Sequence, residues 1–407
     1  MTCVNKNADQ ACDNLSLAHA ALPPTLSLSH LRESADGTRV RIIGVLAWLA
    51  LVTALSAAML SNPRRVGTDF EFSVTGESNA IYAIEASWDL QNWTRVAANR
   101  QLGEARMISM PASARQEFYR VRPLRPLFTG AFGARESISL KGSGARVDSF
   151  DSADPLASTD GQYDPTKARD HGDIIMMSSA LTNSLGNVKV CGALHVEPGS
   201  SVVLGPGASV GSSAWVNSGQ LGIEPGHLIE GTNRVFVDAE LPRGVYVTPG
   251  PGTIDGTNYT YVLSNGHYTL PELRLGSTRA MLITGRAILY ISGTVLLSAQ
   301  IVILRDASLD LYVGGPSASI NFLGVVNESG NAAAFAYYGL PGNINVSVAG
   351  SDDFTGTIYA PAANVSFGGG GYDELDFTGA AVGRNITVNG KMGVHYDERL
   401  GVAGPEL

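Results

Sequence analysis

The sequence predicts a mainly β protein: an N-terminal transmembrane helix, a small β-sandwich, then a right-handed parallel β-helix. Three observations carry this. Asn343-Ile344-Asn345-Val346, Asn364-Val365-Ser366-Phe367 and Asn385-Ile386-Thr387-Val388 return at a spacing of 21 residues. A repeat of this length marks a solenoid, and period-2 alternation between Gly, Asn and Pro makes its units strands. Residues 42–60 hold no charge, and 19 such residues are enough to span a bilayer as a helix. The remainder is rich in Gly, 47 in all, with only 16% charged residues, as suits a large β protein turned on glycine.

Taken in order, residues 1–41 read as a flexible tail, polar and poor in aromatics. Residues 42–60 follow as a transmembrane helix or signal anchor. Arg39 and Arg41 precede this run and Arg64 and Arg65 follow it, so charge alone does not orient it. Ser56-Ala57-Ala58 offers a signal-peptidase site, and an uncleaved anchor is the favoured of the two readings. The β-rich remainder is of the exported kind. The expected location is therefore the cell membrane, single-pass, with the C-terminal β region extracytoplasmic.

Residues 67–127 carry about five short alternating runs, among them Phe70-Glu71-Phe72-Ser73-Val74 and Phe118-Tyr119-Arg120-Val121. That pattern predicts a small accessory β-sandwich. Pro123, Pro126 and Gly130 mark a linker. The parallel β-helix is expected over 137–400. Its first coils fall at 186–213, a looser insertion at 214–280, and regular coils after that. Within those later coils, Phe354-Thr355-Gly356 returns as Phe377-Thr378-Gly379. Asn343, Asn364 and Asn385 are expected to stack as an amide ladder at one corner.

The formal charge is −9, with the acidic excess beyond residue 65. Nucleic acid, which needs a basic face, is excluded as a partner. The cysteines are Cys3, Cys12 and Cys191. Cys191 alternates with Val188 and Val190 as a small core residue, so neither a disulfide framework nor a zinc site is expected.

Two resemblances bear on the reading. Tyr82-Ala83-Ile84-Glu85-Ala86-Ser87-Trp88-Asp89-Leu90-Gln91-Asn92-Trp93, closed by Glu117-Phe118-Tyr119-Arg120-Val121, resembles an accessory module of secreted verrucomicrobial-type proteins. That resemblance implies a surface domain and no chemistry. Segment 147–400 resembles an uncharacterised bacterial exported family that includes pilus-assembly-like envelope proteins. It does so through Val147-Asp148-Ser149-Phe150-Asp151-Ser152 with Tyr163-Asp164, through Phe354-Thr355-Gly356-Thr357-Ile358-Tyr359-Ala360-Pro361-Ala362-Ala363, and through His395-Tyr396-Asp397-Glu398 with Leu400. The family brings no activity with it.

Chemistry is sparse. Carboxylates cluster at 145–175 and again at Asp352, Asp353, Asp373, Glu374 and Asp376. Calcium is the one cofactor they admit, with Asp148, Asp151, Asp352 and Asp373 as candidate ligands. Turns, and a cap for the solenoid, are the plainer reading of the first cluster. At one coil's separation Asp352 and Asp373 would also suit a lyase or hydrolase pair. Alternation puts His395 and Asp397 on one face, paired outside a last coil, with Tyr396 packed inside. Trp88 and Trp93 are candidates for stacking on a sugar. No phosphate loop is present. The expected function is therefore a membrane-anchored, non-catalytic structural or adhesive envelope protein. Its partners are the membrane, through 42–60, and envelope polysaccharide or other surface proteins. The alternatives are a carbohydrate-active enzyme on the same fold and a carbohydrate-binding surface protein.

Overall fold

The computed structural model describes residues 4–5, 59–67, 69–75, 81–91, 93–100, 106–111, 118–124, 126–141, 144–178, 183–231, 234–276, 280–321, 324–350, 352–369 and 375–405. They are mainly β, and the chain divides into two units, Met1–Arg125 and Pro126–Leu407. Among the described residues no helix is long and apolar enough to cross a membrane. Residues 42–58 of the expected membrane segment lie outside the described residues. Its last two, Met59 and Leu60, open the strand Met59–Val66.

The first unit holds two antiparallel sheets, one of three strands and one of four. Alternation does the work expected of it. Phe70, Phe72 and Val74 from one sheet meet Ile84 and Tyr119 from the other in a single buried cluster. Val4–Asn5 pairs with Tyr119 and Phe118, where the sequence reading has a flexible tail. Glu85 is buried between Arg120, at 2.6 Å, and Arg122, at 2.8 Å. Burial alone would raise its pKa, but the two guanidiniums outweigh that and lower it.

The second unit is dominated by parallel pairing. Segments of about 20 residues lay their strands beside those of the segment before. Strand Phe354–Gly369 lies against Leu375–Val388 with Phe354 opposite Phe377, Gly356 opposite Gly379 and Asn364 opposite Asn385. Most inward positions are apolar, for example Ala318, Val346, Val365, Ile386 and Ile138. The intervening residues face out, as they do on a pleated strand with one buried face.

One expected rung moves. Asn345, and not Asn343, sits opposite Asn364. Asn343-Ile344-Asn345-Val346 contains two overlapping copies of the same alternating pattern, so spacing cannot choose between them. The turn before it decides. Asn343 is fully buried, donates from Nδ2 to the Gly315 carbonyl at 2.8 Å and accepts from the Tyr337 hydroxyl at 2.9 Å. Ile344 is left 45% exposed.

Order along the ladder departs from order along the chain. Strand Phe132–Leu140 starts the unit, five residues before the expected boundary at 137. On one side it borders Ile174–Met176 and Asn183–Leu185. On the other it borders Leu375–Val388, with Ala381 opposite Phe132 and Val388 opposite Leu140. Strand Met392–Asp397 likewise lies against Arg146–Phe150. The last segment therefore rests on the first, inside the ladder. Neither the Asp-rich stretch after 145 nor the final His395 strand caps an end, as the sequence reading expects.

This order requires the chain to return from the strands near 230 to those starting at 266, and residues 234–249 make the crossing. Phe236 is buried over Gly133, where any Cβ would collide with its ring. Arg135 donates from Nε to the Phe236 carbonyl at 2.7 Å and meets Asp238 at 2.8 Å. The Tyr359 hydroxyl donates to the Val237 carbonyl at 2.7 Å. Val247 then pairs with the backbone of Tyr268.

Candidate functional site

The densest group of titratable side chains lies where the last segment rests on the first. Parallel register sets His395 opposite Asp148, and both are buried, at 4% and 0% exposure. His395 Nδ1 is 2.6 Å from Asp148 Oδ1, and Nε2 is 3.2 Å from Asp376 Oδ1. The second contact is an ion pair whose geometry falls short of a hydrogen bond. Tyr163 stacks on the imidazole at 3.5 Å between ring centroids and donates its hydroxyl to Asp148 Oδ2 at 3.0 Å. Arg146 Nε donates to the same oxygen at 2.8 Å.

These contacts favour the charged imidazole. Burial pulls the His395 pKa down, but Asp148 and Asp376 outweigh it and the value is raised. The imidazolium in turn holds Asp376 below the ordinary carboxylate value. Burial, reinforced by Asp148, raises the Tyr163 phenol. The Cys191 thiol, 3.2 Å from the Arg146 guanidinium, is raised by burial. A general base needs a free basic nitrogen and a nucleophile needs a lowered pKa or a base beside it. Here the imidazole has carboxylates on both nitrogens, and the phenol and thiol are both held protonated.

A second layer surrounds this pair. Ser149 Oγ donates to Glu398 at 2.9 Å, and His171 Nδ1 lies 2.9 Å from the same oxygen. Asp397 does not pair with His395 outside, as the sequence reading has it. It is buried and accepts from the backbone of Ser152 and Arg399, each at 3.1 Å. Tyr396 is buried too. Both faces of the strand are covered, so alternation no longer separates inside from outside.

The described calcium candidates each make separate contacts. Asp148 serves the His395 cluster. Asp151 accepts from the backbone of Ala153 and Asp352 from that of Asp353, the local turn bonds that Asp ordinarily makes. Asp353 accepts from the backbone of Asp376 at 3.0 Å and so ties two neighbouring strands. Asp373 and Glu374 lie outside the described residues. Among the described residues no group of three or more His, Cys, Asp or Glu side chains is placed to hold a metal ion. In the first unit, Trp93 is covered by Arg120, whose guanidinium carbon is 4.2 Å from the ring centroid, and its indole N–H donates to the Leu90 carbonyl. Trp88 is 69% exposed.

The Asn row is exposed at Asn345 and Asn364, half-buried at Asn385, and internally bonded. Asn385 Nδ2 donates to Asn364 Oδ1 at 3.0 Å and to Glu136 at 3.0 Å, and Ser137 donates to Asn385 at 2.7 Å. Asn364 reaches Asn345 at 3.4 Å. Sequence reasoning missed Arg146 and the pairing of Asp148 with His395. The available signal was the place of Asp148 and His395 in the first and last family-like motifs.

Residues 244–402 match the family model described as a domain of unknown function, DUF7305. No curated protein and no solved structure matches the chain. The matched region contains His395 and Asp376, while Asp148, Arg146 and Tyr163 precede it.

Proposed function

We propose that residues 126–405 form a right-handed parallel β-helix and that the protein is a membrane-anchored, surface-exposed structural or adhesive component of a bacterial envelope, without catalytic activity. The handedness follows from the strong preference of parallel crossovers. Parallel register returning about every 20 residues supports the β-helix. The uncharged run at 42–60 and the resemblance to exported, pilus-assembly-like proteins support the anchor and the location.

The observation that carries the non-catalytic reading is the commitment of His395. Its two nitrogens face Asp148 and Asp376, and Tyr163 covers its ring. Such a group fastens one strand to another. A screen of acidic and neutral polysaccharides for new reducing ends or unsaturated products should be blank. Any turnover abolished by His395→Ala in a folded variant would overturn the reading.

One observation favours a second reading, an enzyme acting on carbohydrate. Asp352 and Asp353 line a cavity of 220 Å³ with Gln300, Asn327 and Thr355. The same screen decides it, because turnover lost in Asp352→Asn/Asp353→Asn and kept in His395→Ala would place catalysis there.

A further inference from the structure

The face that carries the Asn row has a second row beside it. Ser319, Ser347, Ser366, Thr387 and Ser139 stand opposite one another on five consecutive strands. Two residues earlier on the same strands stand Ser317, Asn345, Asn364, Asn385 and Ser137. Strand spacing in a sheet is about 4.8 Å, so each row offers a polar group at that interval. Between the rows the intervening side chains are apolar and buried, which locks every rung in place.

The two rows differ in what they leave open. The amides are largely bonded to each other, and this fixes their orientation. Among the described residues the hydroxyls of Ser319, Ser347 and Thr387 make no hydrogen bond, and that of Ser366 makes one long contact at 3.4 Å. The two rows, as far as Asn364 in one and Thr387 in the other, line one groove of 470 Å³ that spans six neighbouring strands, roughly 24 Å at the sheet spacing. Arg274, at one end of it, is neutralised by Glu272 at 2.9 Å. No aspartate or glutamate lines the groove.

We infer that this groove binds a linear, uncharged polysaccharide lying across the strands. A hydroxyl-rich chain is both donor and acceptor, as are the Ser, Thr and Asn side chains that face it. An extended sugar chain advances per sugar by close to the strand interval, so hydroxyls of successive sugars come within reach of successive rungs. The absence of net charge along the groove selects against polyanions and polycations alike. Each hydroxyl or amide supplies one weak bond, so affinity comes from many such bonds in register and rises with chain length. The inference names a ligand for the adhesive reading and rests on it.

The test is depletion of the full chain from solution by an insoluble neutral β-linked glucan, with a soluble polyuronate as the charged comparison. Wild type is expected to bind the glucan, with little change on adding salt, because no exposed ion pair carries the contact. Ser347→Arg/Ser366→Arg fills the groove and should weaken binding at least about tenfold. Thr257→Arg, on an exposed hairpin elsewhere, should bind as wild type. Ser347→Ala/Ser366→Ala removes only the hydroxyls, and an intermediate, several-fold loss is expected even if the arginine variant fails to fold. No binding to the glucan by folded wild type, binding unchanged in a folded groove variant, or preference for the polyuronate would each overturn the inference. Sugar release during the assay would overturn the non-catalytic reading alone, since depletion is scored separately from product.

Discussion

Two columns of one parallel ladder hold neighbouring segments together by opposite means. Asp148 and His395 face each other across a strand pair as buried charges. Asn345, Asn364 and Asn385 occupy the same kind of register as exposed or half-buried amides. The amide row repeats, tolerates its neighbours and needs no particular partner. The charged pair stands at the place where the end of the unit meets its beginning. Identical rungs stack in any register, whereas a buried charge tolerates only its own partner, because an unpaired one is so costly. A joint between segments far apart in the chain gains specificity from the second device. The first is enough for segments that follow one another.

The largest expected effect breaks the joint. His395→Ala leaves Arg146 as the one cation beside the buried Asp148 and should cost about 1.5–3 kcal/mol in chemical denaturation. Asp148→Ala should cost a similar amount, and the double variant less than the sum of the two. The joint is also pH-dependent. The folded His395 pKa is raised above 6.5, so its contribution is fully present below pH 6.5 and is lost as pH rises through the folded value. Asp376 is lowered below 3.8, so its contribution is present above pH 3.8 and is lost as pH falls. The stability gap between wild type and His395→Phe should therefore be widest between these limits. A gap independent of pH would show that the ring acts through packing alone.

A carboxylate without such a partner should behave in the opposite way. Burial raises Asp310 to about 6, from 3.8. Ionising it opposes folding, so stability falls as pH rises through that interval. Asp310→Asn should stabilise the protein by on the order of 2 kcal/mol at pH 7 and by nothing near pH 4.

Within the amide column the ranking is set by burial and bonding. Asn343→Ala strands the buried Tyr337 hydroxyl and should cost about 1–3 kcal/mol. Asn385→Ala and then Asn364→Ala should cost about 1 kcal/mol or less, and Asn345→Ala least, because these amides are more open to water. An Asn345 variant as damaging as Asn343→Ala would contradict the register assigned here.

What the sequence reveals of this fold divides along the same line. Segments adjacent in the chain repeat each other, so Asn364 against Asn385 and Phe354 against Phe377 are legible from spacing alone. Asn343 against Asn345 is ambiguous, because both sit in the same alternating pattern and only the buried contacts of Asn343 break the tie. The joint leaves no periodic trace. Arg146 and Asp148 pair with residues nearly 250 positions away, and neither flank repeats the other. Alternation misleads at Met392–Asp397 because Tyr163 covers its second face at His395. Titratable residues at the candidate site were visible as residue types, but their partners were not.

The position of the first strand has a consequence for biosynthesis. Phe132–Leu140 emerges from the ribosome early, yet one of its two edges finds its partner only when Ala381–Val388 has been made. The contact between Asn385 and Glu136 spans 249 residues. Until then a long parallel edge stands bare, and such edges recruit other chains. Contacts this distant also form slowly. A chain that stops short of residue 375 keeps that edge permanently open, so truncated products should aggregate where the complete protein does not.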